Sequence, residues 1–356
     1  MKILHTEWME AKGGQASRVL EDLKIIKELG HTPFLACKSH SWLYQNALKS
    51  GIRVFDVQYK NIFDIKSFFQ LLQIMKKYQI NIVHTHSSKD SYVATLAAKI
   101  YGIKIIRSRH MELIKKPTIL YYIADTLITT GEKIREALIQ AGVQKEKVIS
   151  IPSYPDEYIF IASEETRSML RQKYQIGGKE IVIATMTGFN SQKRPRLLLP
   201  IIAELVSEGY AVKFLLAGKE EEEERKLFEE EVKVLKIENY VAYVGFVQAE
   251  LFLNVVDIYV CPSSFEGIPQ ALMQAMMMGK PAVSTNVGSI TDLNRENNLL
   301  LVEKDDREHL AHSIKKLVKE EKLRREFGQK NDSIMRKYFS RSVMKEKTKM
   351  VYENLK

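Results

Sequence analysis

Three short segments hold the residue types that can do chemistry. The first is Thr187-Gly188-Phe189-Asn190-Ser191-Gln192-Lys193-Arg194-Pro195-Arg196, which places three cations, Lys193, Arg194 and Arg196, where a helix is about to begin. Ammonium and guanidinium groups there add to the positive end of the helix dipole and suit a diphosphate, although an ordinary basic surface turn has the same composition. The second runs from Ser263 to Met276 and sets Glu266-Gly267 in a turn ahead of Pro269, a residue suited to the first helical position. The N–H groups of Gly267, Ile268 and Gln270 are expected to project from that helix start, and Gln270, Gln274 and Met278 stack at i, i+4 and i+8. A carboxylate and amides around a helix start suit the vicinal hydroxyls of a sugar or ribose. The third is Lys12-Gly13-Gly14, opening the first helix, where paired glycines let the backbone approach an anion closely or simply make a turn.

Histidines mark two strand ends, His84-Thr85-His86 and Arg107-Ser108-Arg109-His110. The spacing of His84 and His86 is that of a metal pair, but neither a third ligand nor a carboxylate pair accompanies them in sequence, and no metal is expected. There is no GxGxxG, no GxxxxGK[ST] and no Asp-x-Asp. Cys37 and Cys261 each end an apolar run, far apart, and read as buried thiols in a reducing compartment. The cluster Met273 and Met276–Met278 reads as packing.

The elements that must position these residues alternate regularly. Strands are predicted at Lys2–Thr6, Pro33–Cys37, Arg53–Val57, Ile80–Thr85, Lys104–Arg107, Thr126–Thr129 and Val148–Ile151, with an amphipathic helix over Gln15–Gly30. The pattern restarts with strands at Ile181–Thr185, Val212–Ala217, Tyr240–Val244, Ile258–Cys261 and Pro281–Thr285, and helices at Arg196–Gly209, Glu221–Lys236 and Pro269–Met278. Alternation of this kind predicts an α/β fold of two doubly wound parallel sheets, facing each other across a cleft, with ligands at the carboxyl ends of the strands. The Pro-rich break Ile151-Pro152-Ser153-Tyr154-Pro155 divides the 356 residues into domains at 1–153 and 154–335, followed at 336–356 by a C-terminal helix with a path back to the first domain. The net charge of +10 is unevenly shared: residues 1–153 carry 23 Lys and Arg against 13 Asp and Glu, and the remainder carry 31 of each. With no basic stripe interleaved with aromatics, a nucleic-acid partner is disfavoured. The start of the chain does not read as a signal peptide and no apolar run reaches membrane-spanning length, so a cytoplasmic protein or one at the inner membrane surface is expected.

The stretch Pro262–Thr285, continuing through Gly288 to Asp292, resembles the signature region of the retaining glycosyltransferases called group 1, or family 4, which have the GT-B fold. Glu266, Gly279, Pro281, Val283, Thr285 and Gly288 match, while the family's second glutamate falls on Gln274. Gly13-Gly14, His84 and His86, Arg107 to His110, Lys193, Leu215 to Gly218 and Val244 to Val247 resemble the family in order along most of the chain. The resemblance implies a metal-independent transfer of sugar from a nucleoside-diphosphate sugar to a glycan or lipid-linked acceptor of the cell envelope, with retention of anomeric configuration and no cofactor beyond the donor. It implies Glu266, His110 and Lys193 as catalytic. It implies Gly13, Gly14, Lys193, Arg194, Gly267, Ile268 and Gln270 around the donor diphosphate and sugar, with Gln274, Gly245 and Val247 around the nucleoside. His86, Arg107 and Arg109 fall to the acceptor side.

An arginine usual a few residues before the lysine is replaced by Gly188 or Phe189, and Arg194 or Arg196 is expected to compensate. The basic first domain points to an anionic acceptor or membrane surface. Lys115, Lys116 and the segment Lys60–Tyr78 are further candidate contacts, the segment having Phe63, Phe68, Leu71, Leu72 and Met75 on a helix with Lys60, Lys66, Lys76 and Lys77, although a helix that simply packs on the sheet has the same pattern and is the favoured reading. Two other readings stay open: a nucleotide-sugar epimerase of the same fold, and a non-catalytic sugar-nucleotide-binding subunit.

Overall fold

Ile- and Val-rich segments separated by helix-length stretches become parallel strands, because a connection that long carries the chain back to the same end of the sheet. The computed structural model describes residues 1–11, 13–111, 117–189 and 191–355. The chain divides into two units, Met1–Ser153 with Ser342–Lys356, and Tyr154–Arg341.

The first unit has strands β1 (Lys2–Thr6), β2 (Thr32–Cys37), β3 (Arg53–Asp56), β4 (Ile82–Thr85), β5 (Lys104–Arg109), β6 (Thr126–Thr129) and β7 (Val148–Ser150), in the order β3-β2-β1-β4-β5-β6-β7. Successive side chains of a strand point to opposite faces, and both faces here are covered. Phe34 and Ala36 of β2 pack with Tyr59, Leu71 and Met75, whereas Leu35 and Cys37 pack with Val19, Leu23 and Leu43. The helix Arg341–Glu353 lends this unit the buried side chains Met344, Thr348, Val351 and Tyr352.

The second unit has β8 (Ile181–Thr185), β9 (Val212–Ala217), β10 (Val241–Gly245), β11 (Ile258–Cys261), β12 (Ala282–Thr285) and β13 (Leu300–Val302), ordered β10-β9-β8-β11-β12-β13. Counted from β8 this is the 3-2-1-4-5-6 order of a Rossmann sheet, whose ligands sit where the strand order reverses. In the two units the reversal lies between β1 and β4, and between β8 and β11.

Several boundaries differ from the predicted ones for physical reasons. Strand β13 is an addition to the predicted set: only three residues long, it is recruited by pairing Val283 with Leu300. The helix expected from Arg196 begins as a 3-10 turn, Pro195–Leu198, and becomes α-helical over Leu199–Ser207. Pro200, which has no N–H and would clash inside a helix, is thereby kept in the first turn. Pro269 is the extended residue before the helix Gln270–Met277 (φ −72°, ψ 120°) rather than its first residue. Asp64 caps the helix Ile65–Tyr78 by accepting from Ser67 N at 3.1 Å, so Lys60 and Phe63 precede that helix instead of riding on it. Both cysteines are buried, as is the methionine cluster, Met278 included. Among the described residues no helix is long and apolar enough to cross a membrane.

Candidate functional site

In the second unit the loops after β8, β11 and β12 are laced together. Gln192 Nε2 donates to the Phe265 carbonyl at 2.6 Å, and Ser264 returns two bonds to the Gln192 carbonyl, from its N–H at 2.8 Å and its hydroxyl at 3.0 Å. This brings Lys193 onto Glu266, with which it forms an ion pair and hydrogen bond. Glu266 is 6 % exposed, and its Oε1 also accepts from Ser263 Oγ at 2.7 Å. Thr285 Oγ1, at the end of β12, fixes the Ser263 carbonyl at 2.6 Å. A carboxylate so braced presents a fixed negative charge beside a fixed positive one.

Gly288 lies against the Glu266 turn with φ +57°, and a Cβ placed on it would fall 2.0 Å from the Glu266 carbonyl oxygen. Ser289 N donates to the Gly267 carbonyl at 2.9 Å. The turn then enters the helix Gln270–Met277, which has no side-chain cap. Among the described residues the N–H groups of Gly267, Ile268 and Gln270 donate to no protein acceptor, leaving an uncapped helix start beside Lys193 and Glu266. Gln270 and Gln274 are half-buried one turn apart.

A second pair of glycines shapes the floor. Gly188 (φ +64°) donates from its N–H to the Ala217 carbonyl at 2.8 Å, and a Cβ on Gly218 would come within 2.2 Å of that nitrogen. Gly218 N in turn donates to the Gly245 carbonyl at 2.8 Å, tying β9 to the end of β10. Past Gly245 (φ +75°), Phe246 is 73 % exposed and Val247 half-buried. Phe189 is buried between Phe228 and Tyr243, ring centroids 5.3 and 4.7 Å away, so it cannot stand in for an arginine. Arg194 turns to the Pro262 carbonyl at 2.9 Å and to Asp305, and Arg196 to Glu231 at 2.9 Å. Lys193 is thus the cation of the segment that faces Glu266.

In the first unit Gly13 is the extended residue before the helix Gly14–Glu28 (φ −165°), and a Cβ on either glycine would meet nothing within 4 Å. Register places His5 of β1 beside His84 of β4. His5 Nδ1 lies 2.9 Å from His86 Nε2, and His86 Nδ1 lies 3.1 Å from His110 Nε2. Spacing along the chain shows no third histidine beside His84 and His86 because His5 arrives from a different strand. Nitrogens of His5, His84 and His86 lie within 4.8 Å of one another, yet every ring nitrogen of the three already has a protein partner at hydrogen-bond distance. Burial drives the pKa values of these three and of His110 down, those of His5 and His110 to about 3. The Thr130 hydroxyl holds the His110 carbonyl at 3.1 Å.

Two carboxylates that no local motif marks lie close by. Glu7 accepts from Trp8 N at 2.8 Å, Met9 N at 2.9 Å, Gln15 Nε2 at 2.6 Å and Ser87, and Asp90 from Thr6 Oγ1 at 2.6 Å. Burial raises the pKa of both. Arg107 is buried with its guanidinium 4.5 Å from the Tyr121 ring centroid, while Arg109 is half-buried. Lys12, Lys115, Lys116 and Asn190 lie outside the described residues.

The family described as "Glycosyl transferases group 1" matches residues 166–333, and "Glycosyltransferase Family 4" matches residues 12–154. The capsular polysaccharide biosynthesis glycosyltransferase CapM of Staphylococcus aureus is 25 % identical over 307 residues, 81 % of this chain and 80 % of that protein. An Escherichia coli UDP-Gal:alpha-D-GlcNAc-diphosphoundecaprenol alpha-1,3-galactosyltransferase is 22 % identical over 91 % of this chain and 89 % of its own length. The crystal structure of HepE from Anabaena in complex with UDP superposes with a TM-score of 0.91 at 18 % identity, covering 100 % of both chains. Two Rossmann-like parallel sheets, two family matches that together span most of the sequence and a set of transferase relatives make this chain a GT-B glycosyltransferase that belongs to group 1.

Proposed function

We propose that the chain moves a sugar from a nucleoside-diphosphate sugar to a glycan or lipid-linked acceptor in the synthesis of cell-surface polysaccharide, retaining the anomeric configuration and needing no metal. The observation that carries this is the Lys193–Glu266 pair beside the uncapped helix start at Gln270. Breaking an anomeric C–O bond builds negative charge on the departing diphosphate and positive charge on the ring. Lys193 and the N–H groups of Gly267, Ile268 and Gln270 meet the first charge, and the carboxylate of Glu266 meets the second and holds sugar hydroxyls. These are fixed dipoles and charges, which supply the counter-charge a metal would otherwise bring. Attack on the face that the diphosphate leaves lets the leaving group itself take the acceptor's proton. Gln274 offers one oxygen and one N–H to ribose hydroxyls, and Gly245, Phe246 and Val247 form a ledge for the base. From the first unit, His110 and the helix start at Gly13-Gly14 are assigned to the donor and Arg109 to the acceptor, whereas His86, buried with both ring nitrogens taken by His5 and His110, has no group left for an acceptor. HepE was crystallised with UDP and with UDP-glucose, so a uridine nucleotide is the first donor to try.

The acceptor is assigned to a membrane surface. The first unit carries the whole excess positive charge, and an apolar patch stands out from it: Phe63 is 81 %, Ile65 70 % and Phe69 58 % exposed. Leu96 and Ile100 extend the patch, with Lys60, Lys66 and Lys99 on the same two segments.

The test is a thermal-shift panel of UDP-, GDP- and ADP-sugars followed by product analysis with the donor that stabilises. One donor is expected to raise the melting temperature and to be consumed only with an acceptor. Glu266→Gln and Lys193→Ala are each expected to lower turnover about a hundredfold or more, on the scale of removing one group that stabilises transition-state charge. Conversion of the donor to its epimer without acceptor, or unchanged turnover in both variants, rejects the proposal.

A further inference from the structure

One continuous chain of hydrogen bonds threads the first unit. Ser108 Oγ meets His84 Nε2 at 2.7 Å, and His84 Nδ1 meets the Tyr352 hydroxyl at 2.9 Å. That hydroxyl is 3.4 Å from His5 Nε2, and the His5–His86 and His86–His110 contacts complete the line. Six groups share five links. A neutral imidazole carries one N–H and a hydroxyl one O–H, so six protons serve five links and one is left over. Burial keeps each of these rings neutral, well below its ordinary titration range.

If every link holds one proton, the surplus can sit only at an end of the chain. Either all donors point from Ser108 toward His110 and the spare N–H is on His110 Nδ1, or all point the other way and the spare O–H is on Ser108. Surroundings choose between the two. Ser108 is buried, and among the described residues its hydroxyl has no other partner, so a spare proton there is a buried donor with nothing to bond. His110 is the one member of the six that is partly exposed, where a spare N–H can reach a ligand or water.

We infer that Ser108 and Tyr352 are positioning residues that hold His110 in its Nδ1–H tautomer, so that His110 meets substrate as a hydrogen-bond donor and not as a base. The inference rests on the assignment of His110 to the donor made above. Its natural partner is an oxygen, either a sugar hydroxyl or a phosphate oxygen. A donor there fits a transfer in which the departing diphosphate takes the proton. Tyr352 comes from the helix Arg341–Glu353, so a residue 268 positions beyond His84 completes the line.

The experiment uses full-length protein carrying isotope-labelled histidine and reads each ring's tautomer from long-range nitrogen–proton correlation spectra, the His110 signal being identified by its loss in His110→Gln. The wild-type chain is expected to show the proton of His110 on Nδ1. Ser108→Ala removes the terminal donor and is expected to give mixed tautomers at His110, while Ser108→Thr, which keeps the hydroxyl, restores the wild-type pattern. Tyr352→Phe cuts the line in the middle and is expected to disturb His110 likewise. Turnover of the donor sugar is expected to fall about fivefold in Ser108→Ala and to recover in Ser108→Thr, the scale of one hydrogen bond. A proton on Nε2 in the wild type, or a His110 signal unmoved by both Ser108→Ala and Tyr352→Phe, overturns the inference. The expected spectra in a protein that transfers no sugar support the chain and overturn only the functional assignment.

Discussion

Gly288 shows how one residue can govern another without touching a substrate. Its φ of +57° and the 2.0 Å that would separate a Cβ from the Glu266 carbonyl oxygen leave no room for a methyl group, and the turn it presses on carries the braced carboxylate. Gly288→Ala is expected to push the Glu266 turn off Ser263 and to lower turnover at least tenfold, with melting lowered by a few degrees, on the order of 1–3 kcal/mol. Steady-state kinetics beside a thermal melt checks this, and unchanged turnover refutes it. Glu266, Lys193 and His110 are legible in the sequence because each sits in a motif of local spacing. Gln192 lies inside the same segments but carries no visible role there, since what it does is bond a loop far away in sequence. His5 and Asp90 give less signal still: His5 meets His84 and His86 from another strand, Asp90 meets Thr6 of β1, and register is not written in any single strand.

Among the elements, the helix Ile65–Tyr78 and the turn before it are the clearest case of partial legibility. The sequence pattern predicts a basic amphipathic helix, and Leu71 and Met75 are indeed its buried stripe. It does not show that the cap at Asp64 leaves Phe63 in a turn, or that Ile65 and Phe69 face outward with Leu96 of the helix Ser88–Tyr101. Apolar side chains that find no partner in their own fold are a surface cost unless something covers them. Sedimentation with anionic liposomes at low salt is expected to bring the protein down, and Phe63→Ser with Phe69→Ser to leave most of it in solution. Equal sedimentation of the two, or no dependence on salt, removes the membrane from the proposal. Strand β13 escapes the sequence pattern for the opposite reason: three residues are too few to show a period, and only the waiting edge of β12 makes them a strand.

For the molecule as a whole, acidity is the revealing variable. The four clustered histidines hold protons less readily folded than unfolded, where the ordinary value is 6.5. Their contribution to stability is therefore complete above 6.5 and is lost as the pH falls from there toward 3, because the unfolded chain takes up protons that the folded one refuses. Glu7 and Asp90 act with the opposite sign, since burial raises their pKa and favours the folded chain at low pH. Asp22, buried with its pKa likewise raised, joins them, and four groups against three leave a net loss on acidification. The melting temperature is expected to fall between about pH 7.5 and about pH 5 by calorimetry, and a flat or rising midpoint contradicts the buried neutral cluster. Two-domain α/β organisation is legible from alternation alone, and the uneven charge already distinguishes the two units along the chain. The division of labour inside each sheet is not, because it depends on which strands become neighbours.

Tyr352 adds a clock. It is 268 residues beyond its partner His84, and ribosomes add roughly 5–20 residues per second, so the two are made on the order of tens of seconds apart. From the completion of β7 at Ser150 until Tyr352 is made, the seven strands of the first sheet exist while two of their histidine nitrogens still lack a hydroxyl partner. A nascent chain therefore cannot finish its first unit before its second has been synthesised, and a fragment cut at Ser153 carries the basic sheet and its patch-bearing helices in a form that is never completed.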